Sequence, residues 1–139
     1  MNVDKKLYVE TIVNNNRRLQ PVIGKTQLKV GDKVVVRLTV RLDRTMDFVQ
    51  LKDQRAACLE PVEVLSGYRN VGDVGCYVAV KDASTDFFFD TLNKGTYVLE
   101  YSYRVDRAGS YETGIATIQS AYAPEYAAHS ASARYEVSQ

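Results

Sequence analysis

The only histidine of the chain, His129, is followed directly by Ser130. A nucleophilic serine needs a base within hydrogen-bond reach and an acidic group that orients the base. Any of several scattered aspartates or glutamates could supply that acid, and no Gly-x-Ser-x-Gly elbow surrounds Ser130. Residues of this kind usually make ordinary hydrogen bonds in a loop. We therefore predict no catalytic residue, and we expect that the chain is not an enzyme.

Three aspartates, Asp82, Asp86 and Asp90, could suggest a calcium site, because hard cations bind clustered carboxylates. A strand that carries Asp86 and Asp90 does not reproduce a calcium-binding loop, so we expect these side chains at solvated edges and turn caps. A zinc site is not favoured either, since no CxxC spacing exists and the histidine is remote from both cysteines. The sequence predicts no metal and no cofactor.

The two cysteines, Cys58 and Cys76, allow two interpretations. If the segments that carry them are neighbours, a disulfide would close a loop of roughly 20 residues and contribute about 3 kcal/mol in the chain-entropy model. In the other interpretation they are two small buried or half-buried thiols. A Cα separation within about 7 Å would be needed for the bridge.

The chain contains 10 tyrosines and no tryptophan. Those between residues 97 and 111 alternate along strand-like segments, which favours a place in the core with the hydroxyl at its rim. The segment Tyr122, Pro124, Glu125 and Tyr126 shows no alternation. An amphipathic ring on a proline-containing loop is typical of an interface anchor. We therefore predict a contact site there, with both loop tyrosines more exposed than Tyr101 and Tyr103.

Length and charge narrow the classes of function. The chain has 139 residues and a net charge of +1. Its basic residues are scattered, without the mixture of basic and aromatic side chains of a single-strand nucleic-acid binder. No apolar run is long enough to cross a bilayer, and the first 20 residues lack the apolar stretch of a secretory signal. Either the protein is cytoplasmic, or the chain is a piece of a longer exported protein.

Strand patterns with period two run through the chain, and no helical period extends beyond two turns. The clearest strand is 34–42, and 47–52 is its expected hairpin partner, with Phe48 and Gln50 on one face. Residues 53–75 are expected to form a long irregular connection. Strands follow within 86–92 and 96–105, and a last one lies near 133–137. The spacing predicts an all-β, immunoglobulin-like antiparallel sandwich of about eight strands, formed by residues 1–139 as a single domain.

The order of several motifs then resembles a known family. A Gly-Asp turn precedes a long strand, a proline-containing loop follows the next one, and a spaced Phe, Gly and Tyr pattern leads to a closing Tyr-x-Pro-Glu loop. These features lie in LKVGDKVVVRLTV (28–40), DFVQLKDQRAACLEP (47–61) and residues 84–137. Together they resemble the C-terminal macroglobulin-type domain of bacterial alpha-2-macroglobulin family proteins, particularly large envelope proteins of Bacteroidetes.

The resemblance implies a non-catalytic interaction domain of a protein that inhibits or traps proteases. Family members of the thioester type carry a CxEQ motif on a separate helical domain, whereas neither cysteine here is followed by that motif. The implied partners are other domains of the parent chain, including that helical domain if present, and proteases reached through the parent. The resemblance implies that Tyr122 would help to shield the thioester site of that helical domain. It implies neither nucleic-acid binding nor direct membrane insertion.

The implied location is the periplasm or the outer-membrane-attached envelope, where a bridge between Cys58 and Cys76 would be permitted. The alternative function is a free-standing carbohydrate-binding or adhesive sandwich. In that case exposed tyrosines would stack on sugar rings.

Overall fold

The structure, a computed structural model, describes residues 1–22, 27–62, 66–71, 74–122, 127–132 and 134–138. These residues form 14 β-strands and contain no helix, so the predicted all-β class is confirmed. The predicted number of strands was too low, because several strands have only three to five residues and show no readable period. In the described part of the chain, no helix is long and apolar enough to span a membrane.

The strands form three sheets. The five-stranded sheet contains, in spatial order, β2 (Asn16–Pro21), β1 (Asn2–Val13), β4 (Lys33–Leu42), β10 (Gly95–Val105) and β6 (Leu59–Pro61). The six-stranded sheet contains β13 (Ala127–His129), β12 (Ala116–Ser120), β5 (Met46–Gln54), β9 (Ser84–Leu92), β8 (Val74–Val80) and β7 (Gly67–Val71). A small sheet contains β11 (Gly109–Glu112), β14 (Arg134–Ser138) and β3 (Gln27–Lys29). The pairing of β14 with β3 is parallel, and the other described pairs are antiparallel.

One apolar core lies between the two larger sheets. On β4 the even-numbered residues from Val34 to Leu42 are buried, as the period-two pattern predicts. Leu99 and Tyr103 of β10 join the same core from the five-stranded sheet. Phe87 and Phe89 of β9 join it from the six-stranded sheet. Both sheets therefore bury one face against the other, which is the arrangement of a β-sandwich.

The expected hairpin of 34–42 with 47–52 is wrong. β4 pairs with β1 and β10, whereas β5 pairs with β9 and β12 in the other sheet. The three residues between β4 and β5 thus cross from one sheet to the other. Alternation of apolar residues shows which side chains face the core, but it does not show which strand lies alongside.

The connection expected to be irregular at 53–75 also contains strands. β6 adds to the edge of the five-stranded sheet beside β10, and β7 pairs with β8. Residues 63–65 and 72–73 of this segment lie outside the described part of the chain. Leu59, near the start of this segment, is buried in the core.

A candidate contact site at Phe48 and Tyr122

Two exposed aromatic rings touch at one end of the six-stranded sheet. Tyr122 follows β12 and is 76% exposed, and Phe48 of β5 is 49% exposed. Their ring centroids are 5.0 Å apart at an interplanar angle of 89°, an edge-to-face pair. Aromatic pairs of this geometry attract each other beyond the area they bury. The pair is therefore a preformed apolar projection on the surface.

The backbone at Phe48 explains why its ring points outward. Its φ is 52°, in the left-handed region that a bulky residue rarely adopts. In a regular strand, residues that face the same side are separated by an even number of positions. Here Met46 and Val49 are both buried, at 8% and 1% exposure, although they are three positions apart.

The neighbouring strand shows the same interruption of the two-residue alternation. Phe89 and Leu92 of β9 are both buried, at 5% and 3% exposure, and they pair with Val49 and Met46. Because of the left-handed conformation of Phe48, the residues on both sides of it can face the core. A conformation of this kind costs about 1–3 kcal/mol and is found preferentially at functional sites.

The segments that carry the two rings are joined by hydrogen bonds. The backbone N–H of Ala121 donates to the carbonyl oxygen of Phe48 at 2.9 Å. The Ser120 hydroxyl donates to the carbonyl oxygen of Asp47 at 3.3 Å, and the Thr91 hydroxyl donates to the Asp47 carboxylate at 2.9 Å. These bonds fix the backbone beneath the ring pair, so that little ordering remains when a partner binds.

Tyr122 occupies the kind of position that the sequence predicts. It is far more exposed than Tyr103, which is 1% exposed, and Tyr101 is partly buried. The other three predicted contact residues, Pro124, Glu125 and Tyr126, lie outside the described part of the chain. Sequence reasoning did not select Phe48, although the alternation had placed it on the same face as Gln50 and opposite to Val49 and Leu51.

A buried ion pair connects the two larger sheets. Lys5 Nζ of β1 lies 2.6 Å from Asp53 Oδ1 of β5, and the two side chains are only 3% and 0% exposed. The ammonium also donates to the carbonyl oxygens of Gln54 and Thr113, at 2.8 and 2.9 Å. The Tyr101 hydroxyl donates to the other Asp53 oxygen. Asp53 Oδ2 is therefore hydrogen-bonded, whereas Asp53 Oδ1 is in the ion pair with Lys5 and has no hydrogen-bond partner.

Burial raises the pKa of Asp53 from 3.8 to about 6, although the nearby Lys5 ammonium acts to lower it. Burial likewise raises the pKa of Tyr103, whose hydroxyl lies 3.0 Å from that of Thr85. Perturbed pKa values can mark functional sites. This network is enclosed and packed from both sheets, so its role is to hold the sandwich together.

The disulfide interpretation of Cys58 and Cys76 is not realised, because both side chains are buried thiols. Cys58 immediately precedes β6 of the five-stranded sheet, and Cys76 lies on β8 of the six-stranded sheet. Burial also raises the pKa of the Cys58 thiol. A thiol in this environment reacts slowly with electrophiles.

His129 and Ser130 make structural hydrogen bonds. Ser130 is 4% exposed, and its hydroxyl accepts a bond from the backbone N–H of Ala116 at 2.9 Å. The His129 ring nitrogen Nδ1 lies 3.1 Å from the Ser130 carbonyl oxygen rather than at its hydroxyl. The pair therefore lacks the serine-to-base contact of a nucleophilic site.

The expectation that all three aspartates at 82–90 are solvated is wrong for Asp86. Its residue exposure is 1%, Lys81 Nζ lies 2.9 Å from Oδ2, and the Ser84 hydroxyl donates to Oδ1 at 3.0 Å. The Lys81 side chain supplies the counter-charge, which a pattern of strand residues does not reveal. Asp82 and Asp90 are exposed, as expected. Among the described residues no three potential metal-ligating side chains come together.

Comparisons with known proteins give a family and a set of similar structures. Residues 1–125 match the family model of the bacterial alpha-2-macroglobulin MG10 domain. Salmonella alpha-2-macroglobulin reacted with methylamine matches at a TM-score of 0.75 and 20% identity, over 99% of this chain and 9% of that chain. A tyrosine-to-glycine mutant of the Salmonella protein matches at a TM-score of 0.76 and 19% identity, over 99% of this chain and 9% of that chain.

An Escherichia coli alpha-2-macroglobulin structure, spanning the residues from domain MG7 to the C-terminus, matches at a TM-score of 0.71 and 15% identity. The match covers 99% of this chain and 23% of that chain. No curated protein matched the sequence. The structural matches show a shared fold, and the family model extends over most of the chain. The chain therefore belongs to the bacterial alpha-2-macroglobulin MG10 domain family.

Proposed function

We propose that this chain is a non-catalytic interaction domain of an alpha-2-macroglobulin-type cell-envelope protein, and that it contributes to protease inhibition or trapping through contacts with other domains of its parent chain. The observation that carries this proposal is the exposed edge-to-face pair of Phe48 and Tyr122. Large exposed rings on a fixed backbone are typical of interface anchors.

The size of the chain supports a role within a larger protein. It spans 9% of the Salmonella alpha-2-macroglobulin chain and 23% of the Escherichia coli chain that begins at MG7. A domain of this size in a long polypeptide has neighbours against which an exposed aromatic pair can be buried. We propose the periplasm or the outer-membrane-attached envelope as the place where the parent acts.

The chemistry of the domain supports contact rather than covalent capture. Cys58 and Cys76 are buried, and His129 does not approach the Ser130 hydroxyl. In this proposal the domain stabilises one arrangement of the parent chain, and Tyr122 forms the anchor against the domain that carries the trapping chemistry. Pro124, Glu125 and Tyr126 complete the proposed contact.

The test replaces the anchor in the full-length product of the gene that encodes this chain. In Tyr122→Gly the ring is lost, and a hot-spot residue of this type contributes about 2 kcal/mol or more to an interface. We expect the variant to inhibit trypsin several-fold less per mole than the wild type, measured by cleavage of a protein substrate. The control is Ile12→Ser, because Ile12 is 73% exposed on the other large sheet.

The proposal predicts that Ile12→Ser inhibits trypsin as the wild type does. Equal inhibition by Tyr122→Gly and wild type would contradict the proposed role of Tyr122. A wild-type gene product that does not inhibit trypsin or elastase at any ratio would contradict the proposed protease inhibition itself.

A further inference from the structure

Four aromatic side chains form a diagonal stripe across the outer side of the six-stranded sheet. We call Tyr77, Phe88, Phe48 and Tyr122 the aromatic stripe. Phe88 is 38% exposed and Tyr77 is partly exposed, in addition to the two rings already described. The stripe thus runs from β8 through β9 and β5 to the residues after β12.

Strand register places these residues side by side. Tyr77 pairs with Phe88 across β8 and β9, and their ring centroids are 6.3 Å apart. Phe88 pairs with Gln50 of β5, and Phe48 lies two positions before Gln50 on the same strand. Diagonal neighbours in a sheet lie about 7–8 Å apart, within reach of aromatic side chains. The register thus places Phe88 on the strand next to Phe48, although the regular alternation is interrupted at Phe48 itself.

The polar side chains beside the rings are two amides and a carboxylate. Gln50 pairs with Gln119 of β12, and Gln119 is exposed. Asp90 follows Phe88 in the outward series of β9, is exposed, and stands opposite Phe48 in the register of β5 with β9. Lys52 is next to Gln50 in the outward series of β5. Aromatic side chains of this kind are enriched at protein interfaces.

We propose that the aromatic stripe docks onto a largely apolar surface of a second domain in the same polypeptide. This inference rests on the proposed function and extends its contact from the loop at Tyr122 across the sheet to Tyr77. An occupant within the same chain is favoured because the domain spans only 9% of the Salmonella chain that it resembles.

Hydroxyl-radical footprinting tests the stripe, because phenylalanine and tyrosine rings are modified in proportion to their solvent exposure. The 139-residue chain and the full-length gene product are labelled in parallel, and modification is quantified by mass spectrometry. We expect Tyr77 and Phe88 to be modified in the short chain and several-fold less in the full-length protein. Ile12 is the control and should be modified equally in both.

The outcomes separate the stripe from the proposed function. Protection of Tyr122 without protection of Tyr77 and Phe88 would overturn the stripe and leave the loop contact intact. Protection of Tyr77 and Phe88 without Tyr122 would support the stripe and contradict the loop anchor. Equal modification of all four rings in both proteins would overturn both.

A matched substitution tests the occupant. Phe88→Thr removes the ring and keeps a residue that favours strands. In the full-length protein we expect this variant to restore modification of Tyr77, while Ile12→Ser leaves Tyr77 protected. If the short chain instead binds a panel of soluble polysaccharides and Phe88→Thr abolishes that binding, the stripe is a sugar platform and the proposed occupant is wrong.

Discussion

Lys5 and Asp53 illustrate, at the scale of residues, how a polar contact can join two apolar layers. The pair is almost without solvent contact and connects β1 of one sheet to β5 of the other. Removal of one partner from a buried pair typically costs about 3–5 kcal/mol, because the remaining charge stays buried. We expect Lys5→Met to lower the free energy of unfolding by an amount in this range, measured by urea denaturation at pH 7. A loss below about 1 kcal/mol would mean that the pair is solvated.

The pKa of Asp53 predicts a dependence of stability on pH. Its pKa is raised from 3.8 to about 6 on folding, so between these values the folded state binds more protons than the unfolded state. The contribution of Asp53 to stability therefore falls as pH rises from about 4 to about 6, by about 3 kcal/mol in total. Asp53→Asn should lack this contribution. To measure it, the free energy of unfolding of the wild type and of the variant is determined as a function of pH, and the two values are subtracted at each pH.

Glu10 supplies a control of the opposite sign. Hydrogen bonds and charge from Lys33 and Arg17 lower its pKa, so its contribution is present at neutral pH and is lost as pH falls through the lowered value. The Glu10 contribution to the free energy of unfolding therefore increases as pH rises, and Glu10→Gln should abolish this increase. The Asp53 contribution decreases as pH rises, and Asp53→Asn should abolish this decrease. Differences of the same sign for the two variants would contradict the assignment of Asp53.

The two cysteines give a prediction that needs no substitution. Because Cys58 and Cys76 are buried thiols, a reducing agent should leave the free energy of unfolding unchanged. An aromatic disulfide reagent should react with two thiols per chain only after the chain is unfolded. A loss of about 3 kcal/mol on reduction would instead reveal a bridge.

At the scale of elements, the sequence predicts where strands lie better than it predicts which strands pair with each other. The run from Val34 to Leu42 is correctly predicted because its period of two is local to the strand. Its expected pairing with 47–52 is wrong because pairing depends on how the chain crosses between sheets, and no local pattern encodes that. Short strands such as Leu59–Pro61 are missed because three residues carry no period.

The contact site was predictable only in part. Tyr122 stands in a segment without alternation, which is a signal that it leaves the core. Phe48 gives a weaker signal, since one outward aromatic on a strand is common. Its left-handed backbone depends on the burial of both Met46 and Val49, and this is a property of the packed sheet.

The connection between β11 and β12 requires a glycine at position 114. Its φ is +76°, and an added Cβ would lie 2.7 Å from the carbonyl oxygen of Gln54. Gly31 has a φ of +95° and open space around the added Cβ. We expect Gly31→Ala to cost about 1–2 kcal/mol from backbone strain alone.

For Gly114→Ala we expect a further cost of about 1–3 kcal/mol from the clash with the β5 backbone. Chemical denaturation of both variants measures the difference. Equal costs would show that the connection moves away from β5 without penalty.

At the scale of the whole molecule, core residues from both large sheets belong to one cluster, and the buried ion pair crosses between the sheets. We therefore propose that residues 1–139 form one domain and expect a single cooperative unfolding transition. Since the chain has 10 tyrosines and no tryptophan, tyrosine fluorescence and far-ultraviolet circular dichroism are suitable probes. Midpoints that differ between the two probes would indicate separately folding parts.

The central claim is that Tyr122 faces another domain of the parent chain. A photo-reactive benzoylphenylalanine at position 122 of the full-length gene product measures this most directly, with the same group at position 12 as the control. After irradiation and proteolysis, we predict that mass spectrometry finds crosslinks from position 122 to peptides outside residues 1–139, and few from position 12. No crosslinks from position 122, or crosslinks only to residues within 1–139, would contradict the claim.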